Sequence, residues 1–463
     1  MTAIRISKLG APLLGAAAAL AAFTAMPSIA SAQALIRDAE IEDTLRVYET
    51  PVLHAANIRT EDVRFYIVQD PSINAFVNGG QNIFVHTGLI MAARRPNEII
   101  AVMAHETGHI AGGHLSRAAR AQANAMPPAL ISIGLGILAL ASGQPGAGAA
   151  LISGAPAFAM GSYVRFTQVE ESSADQAGMT FLEESGQSGR GLITFFDREL
   201  RPYEFLARRA PPYMMTHPYT SDRVEALRRR VESGAHRDAV DTADNIRRFQ
   251  FMQAKLVGFI QTQGQTLARY PQSDHSQPAR YARAIAYYRA SDLGGARAEL
   301  DSLIAEDPHN PYFQELMGQI LFENARAAEA VAYYRRAVEY DPGQPLLQVG
   351  LARAIDAAHG RAGTDEALGL LQQAVAREPD NGYAWREMAQ ARDMRGEEGL
   401  ANLASAEEAF SIGDYGLAGN FAERARRVLP HNVPAYQRAT DIVTFATERL
   451  QQQARNRGGG QGN

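Results

Sequence analysis

Three side chains within five residues, His105, Glu106 and His109, have the types and the spacing for metal-assisted hydrolysis. On an α-helix, residues four apart lie about 40° apart around the axis, so both imidazoles can reach one cation. The Glu106 carboxylate projects beside that cation, where it can take a proton from a water held there. Chemistry of this kind cuts amide bonds. Zinc in such a site needs a third protein ligand and keeps one position for water. A third histidine at position 115 would serve, with Gly112 before it, but residue 115 is Leu115 and His114 falls one place early.

A carboxylate further along the chain offers the alternative. In Val169-Glu170-Glu171-Ser172-Ser173-Ala174-Asp175, Glu171 and Asp175 are four residues apart and share one helical face. Glu171 can bind the metal, and Asp175 can accept from the outer ring N–H of a ligand histidine and fix its tautomer. Glu170 is the rival ligand, but it lies about 100° around the helix from Glu171 and lacks the relation to Asp175. His114 points off the metal face and reads as a local hydrogen-bonding residue. His86 reads as structural.

These side chains need elements to hold them. Glu98 to Ala104 and Ile110 to Leu115 flank the histidines as helix. Ile41, Leu45, Tyr48, Val52 and Leu53 recur at helical spacing within residues 36–57. Val63–Val68 and Gln81–His86 alternate as strands. The second strand precedes the metal helix and so lines the cleft, and a substrate chain can pair with its free edge. A plain structural hairpin is the other reading.

The motifs together resemble the HtpX / CAAX-prenyl-protease family of gluzincin metallopeptidases. The resemblance rests on the histidine motif, on the glutamate segment, on Asn74-Ala75-Phe76 through Gly88-Leu89, and on Thr216-His217-Pro218 through Arg223. It covers about residues 36–232. It implies one Zn²⁺ held by His105, His109 and Glu171, with Asp175 behind the ligands and Glu106 as general base. His217, Tyr219 and Arg223 are the candidates to stabilise the oxyanion, His217 by contact with the site and Arg223 by a structural or electrostatic role nearby. His217 has a second use, as a further zinc ligand that keeps the enzyme latent.

From about residue 245 the pattern changes. Residue-proline pairs at Tyr270-Pro271, Asp307-Pro308, Asp341-Pro342, Glu378-Pro379 and Leu429-Pro430 put prolines 37, 34, 37 and 51 residues apart. The period near 34 resembles tetratricopeptide repeats. The long interval reads as an insertion or irregular repeat around Gly396–Leu403. The expected fold is mostly α: a gluzincin-type α+β metallopeptidase domain with a small sheet, then an α-solenoid. Its parts are a signal peptide over 1–32, the peptidase over 33–235, the repeats over 245–455 and a disordered tail over 456–463.

The remaining composition bounds the function. With 463 residues, 46% of them hydrophobic, the chain can form two or three domains. Its 45 basic and 50 acidic residues, a net charge of −5, give no reason to expect a nucleic-acid partner. Cysteine is absent, so any metal is held by nitrogen and oxygen. Arg5 and Lys8, an apolar Leu9–Phe23 and Ala30-Ser31-Ala32 read as a signal peptide cleaved after Ala32 for export to the periplasm. Residues 126–160 hold two apolar arms, each short of the ~20 residues that span a bilayer. A buried hairpin, a lid over the site and a peripheral membrane contact through 129–160 all fit them.

The repeats point to a subgroup of periplasmic β-barrel assembly-enhancing proteases. That resemblance implies an endopeptidase acting on misfolded or misassembled exported polypeptide, with the repeats docking on substrate or on the outer-membrane assembly machinery. The alternative is a chaperone or assembly factor whose repeats bind that machinery and whose protease site is largely latent.

Overall fold

The computed structural model describes residues 35–115, 117, 168–203, 213–214, 217 and 220–458. The expected signal peptide, the apolar arms of 126–160 and Tyr219 lie outside them. The chain packs as two units, one of Met1–Ile36 with Thr44–Phe249, the other of Arg37–Asp43 with Gln250–Asn463. Among the described residues no helix is long and apolar enough to cross a membrane.

The first unit is built on a four-stranded sheet in the order β1-β2-β4-β3. Its strands are β1 (Leu35–Ile36), β2 (Arg64–Val68), β3 (Ala75–Asn78) and β4 (Asn82–His86). Helix α1 (Ala39–Ala55) falls within the span its apolar spacing predicts. β2 and β4 do not form a hairpin. They run parallel, with Phe65 opposite Ile83 and Ile67 opposite Val85, all four buried. The hairpin is β3–β4, closed after Asn78-Gly79, a dipeptide suited to a tight turn. β4 therefore has neighbours on both sides, and its edge is not free as expected. Among the described residues the open edge on that side is β3.

After α2 (Thr87–Ala92) comes α3 (Pro96–Gly112), which carries the histidine motif. Pro96 opens it at a position where a missing N–H costs nothing. Pro96 through Gly108 are all buried, so α3 is a core helix, and its polar residues outside the histidine cluster, Asn97, Glu98 and Thr107, are hydrogen-bonded within the unit. Arg198 clamps its start through two 2.7 Å bonds to Glu98. Helix α4, over residues 168–184, carries Glu171 and Asp175. A Cβ on Gly108 would lie 2.5 Å from the Ala174 carbonyl, and one on Gly178 would lie 2.9 Å from that of Ala104. Each helix thus presents a glycine where the other backbone passes, and this closeness brings the two motifs together. Helix α5 (Arg190–Phe195) and helix α6 (Ser221–Glu232) complete the unit.

The second unit is an α-solenoid. Its helices are α7 (Ala243–Ile260), α8 (Gln263–Arg269), α9 (Gln277–Arg289), α10 (Leu293–Glu306), α11 (Pro311–Glu323), α12 (Ala327–Tyr340), α13 (Pro345–His359), α14 (Thr364–Arg377), α15 (Gly382–Met394), α16 (Glu398–Ser411), α17 (Tyr415–Val428) and α18 (Pro434–Gly458). First helices of successive pairs start 34, 34, 34, 37 and 33 residues apart. The 51-residue proline interval hides no insertion. It spans one ordinary pair whose end is a glycine turn, Gly413 at φ 77°, and the next x-Pro falls inside the following pair. Helix α18 runs through Gly458, three residues into the expected tail, whose remaining residues lie outside the described ones.

Arg37–Asp43 groups with the repeats for an electrostatic reason. Lys255 of α7 is buried, with Nζ 2.9 Å from Asp38, 3.5 Å from Glu40 and 3.4 Å from Glu315. Tyr281 donates to Glu40, and Arg37 pairs with Glu378 at 2.8 Å.

Candidate metal centre

Four side chains converge in the first unit: His105 and His109 from α3, Glu171 from α4, and His217 between Tyr213 and α6. One ligand atom from each lies within 4.8 Å of the others. His105 Nε2 is 3.1 Å from His109 Nε2, 3.3 Å from His217 Nδ1 and 3.4 Å from Glu171 Oε2. Glu171 Oε1 is 3.3 Å from His109 Nε2 and 3.0 Å from His217 Nδ1. A tetrahedron with zinc–nitrogen and zinc–oxygen bonds of about 2.0–2.2 Å has edges of about 3.3–3.6 Å. The five separations, taken over both Glu171 oxygens, are close to that spacing, and nitrogen and oxygen donors suit a borderline divalent ion.

Tautomers agree with this geometry. His105 Nδ1 lies 2.9 Å from Asp175 Oδ1, so its proton sits on that side and the Nε2 lone pair faces the cluster. Asp175 is in turn held by Arg223 from the first turn of α6. Thr220 caps that helix by accepting from the Arg223 N–H, which fixes where the guanidinium starts. Arg223 thus lies behind the carboxylates, with Nη1 2.9 Å from Glu171.

Glu106 is fully buried, and neither carboxylate oxygen has a hydrogen-bond partner among the described residues. Burial pushes its carboxyl up to about 7, against the pull of His105 and His109. His217 Nε2 is likewise buried without a hydrogen-bond partner there, 3.4 Å from Glu106 Oε1. Burial lowers the His217 imidazole. Burial would raise Glu171, but the charge of His217 and bonds from the three histidines hold it well below the usual range. Burial opposes a charge on His105, but Asp175 and Glu171 raise its imidazole to about 9, so a metal bound there would displace a proton from it.

Every residue expected at the site from sequence lies here, except Tyr219, which is outside the described residues. Two neighbours were not foreseen, and a third, His114, was expected only as a local hydrogen-bonding residue. The Tyr213 ring lies 4.6 Å from that of His217, tilted by 31°, and its carbonyl accepts the His217 N–H at 2.7 Å. Glu49 of α1 accepts from Thr107, between the two ligand histidines in sequence, at 2.5 Å. His114 turns back onto His109 rather than away from it. Only the four-residue step from Tyr213 to His217 had any signal in the sequence.

Comparison with known proteins agrees with the site. Residues 37–231 match peptidase family M48. The chain is 28% identical over 352 residues to the β-barrel assembly-enhancing protease of Yersinia pestis, covering 74% of this chain and 70% of that one. With the protein of the same name from Escherichia coli K12 it shares 28% over 376 residues, 80% of this chain and 74% of that one. With the metalloprotease LoiP of Escherichia coli K12 it shares 28% over 180 residues, 38% and 66% of the two chains. Residues 37–231 are thus a peptidase M48 domain, and tetratricopeptide-like repeats follow it.

Proposed function

We propose that this protein is a zinc endopeptidase of the periplasm that hydrolyses misfolded or misassembled exported proteins. The observation that carries the reading is the buried cluster of His105, His109, Glu171 and His217 with the unpartnered Glu106 carboxylate beside it. Zinc in this site supplies Lewis-acid polarisation of the scissile carbonyl and brings the pKa of water to about 7. Glu106 takes the proton of the attacking water and passes it to the departing amine. Asp175 and Arg223 hold His105 and Glu171 in place through these steps. The open edge of β3 suits an extended polypeptide, recognised through its backbone with little sequence preference.

The substrate class follows the name of the two full-length relatives, proteases that enhance β-barrel assembly. On this reading the peptidase occupies 33–235 and the repeats 245–455, with export directed by residues 1–32. The repeats dock unfolded polypeptide or the outer-membrane assembly machinery.

One feature supports a largely latent protease working mainly as an assembly factor. His217 completes a four-donor set, and a fourth protein ligand takes the place that water needs. The test is casein cleavage by the zinc-loaded full chain, with Glu106→Gln as control. A general base contributes about 10²–10⁴ in rate, so the variant is expected to bind zinc and cleave at a small fraction of the normal rate. Equal cleavage by both proteins would remove Glu106 from the mechanism.

A further inference from the structure

A line of ionisable side chains leads away from His109 and has no part in the chemistry above. His109 Nδ1 lies 2.9 Å from His114 Nδ1, the rings edge-on with centroids 4.8 Å apart. His114 Nε2 lies 2.8 Å from Glu170 Oε2, within ion-pair distance but not aligned as a hydrogen bond. Arg117 then donates to both Glu170 oxygens, at 3.1 and 2.7 Å. His114 and Glu170 are buried, and Arg117 reaches in from the surface.

The protons on this line have one consistent arrangement. Two ring nitrogens 2.9 Å apart share a single hydrogen. With both rings neutral, a lone pair on His114 Nε2 would face a Glu170 oxygen 2.8 Å away and be repelled by it, so the hydrogen is on Nε2 and Nδ1 is the lone pair. His109 must then carry its own hydrogen on Nδ1 and donate it to His114. That leaves His109 Nε2 as a lone pair directed at His105 and Glu171, the form a metal ligand needs. The carboxylate at the end of the line therefore sets the tautomer of a ring it does not touch.

The backbone is shaped to allow this. Gly113, at φ 65°, ends α3 in the left-handed conformation, and helical backbone resumes at His114 in a new direction. A Cβ on Gly112 would lie 2.2 Å from His114 Nε2. The imidazole occupies space that exists only because residue 112 has no side chain.

We propose that His114 is a positioning residue of the metal centre: backed by Glu170, it fixes the tautomer and orientation of His109, as Asp175 does directly for His105. Adjacent residues of α4 thus divide the work, Glu171 facing the metal donors and Glu170 facing His114. This inference rests on the reading of His105, His109 and Glu171 as metal ligands.

The test measures zinc affinity of the full chain by chelator competition and the visible spectrum of its cobalt-substituted form. His114→Phe keeps the ring volume but removes the acceptor. It is expected to bind zinc about 10–100-fold more weakly and to shift the cobalt bands. His114→Gln, whose amide oxygen can accept from His109, is expected to regain much of the loss. Gly112→Ala, which displaces the imidazole without altering it, should behave like His114→Phe. Circular dichroism of the metal-free variants checks that the fold persists. Unchanged zinc affinity and cobalt spectrum in His114→Phe would reduce His114 to packing and overturn the proposal. A wild-type chain that bound neither ion would instead overturn the metal centre itself.

Discussion

Arg223 holds Asp175 by two bonds, Nη2 2.8 Å from Oδ1 and Nε 2.5 Å from Oδ2. Its remaining nitrogen, Nη1, lies 2.9 Å from Glu171. One planar cation therefore keeps two buried carboxylates together on neighbouring turns of α4. A lysine is a point charge and cannot bridge them in this way. Arg223→Lys is expected to weaken zinc binding about 10–100-fold, as loss of a ligand's support commonly does. Arg223→Ala strands two buried anions and should cost about 3–5 kcal/mol in unfolding of the metal-free protein. Zinc titration and thermal melts measure the two effects separately.

His217 decides between restraint and catalysis. With its Nδ1 among the metal donors at 3.0–3.3 Å, its removal should open a position for water. His217→Ala is expected to cleave casein faster at saturating zinc while binding zinc more weakly. If the imidazole instead stabilises the oxyanion, the same change lowers the rate, by about 10²–10³ for loss of one such donor.

Glu49 ties stability to pH. Burial pushes its carboxyl up to about 8, from 4.5 when unfolded, despite the lowering effect of the Thr107 bond. Between those values the folded chain holds a proton that the unfolded chain has released. Its contribution to stability is therefore whole below pH 4.5 and declines as pH rises to about 8. Glu49→Gln keeps an oxygen for Thr107 and does not titrate. Its melting temperature should match the wild type near pH 4.5 and exceed it at pH 8, by the equivalent of about 2–4 kcal/mol. Parallel melting curves across that range would refute the assignment.

Lys255 carries a similar prediction for the repeats. Burial opposes its charge, but Asp38, Glu315 and Glu40 raise its pKa well above the usual value. Lys255→Ala leaves those carboxylates facing one another without a cation, at a cost of about 3–5 kcal/mol. Limited trypsin digestion should then cut after Arg37 sooner than in the wild type.

His105 with His109, and Glu171 with Asp175, were legible in the sequence as candidate site residues because helical spacing puts each pair on one face, and Glu106 because it adjoins His105. The period near 34 likewise comes from local punctuation, since a proline after each helix pair cannot continue it. The tertiary structure decided what depends on contacts between distant segments. Alternation identifies strands but not their partners, so β3 as the free edge and β4 as an inner strand appear only in the sheet. Proline spacing misread the last repeats because Gly413 performs the same turn without a proline. His114 looked misplaced for a ligand helix, but Gly112 and Gly113 end that helix and redirect the chain. Arg37–Asp43 groups with helices more than 200 residues away through the buried Lys255 charge together with the packing of Ala39 on Ala337 and Leu347, which no local pattern encodes.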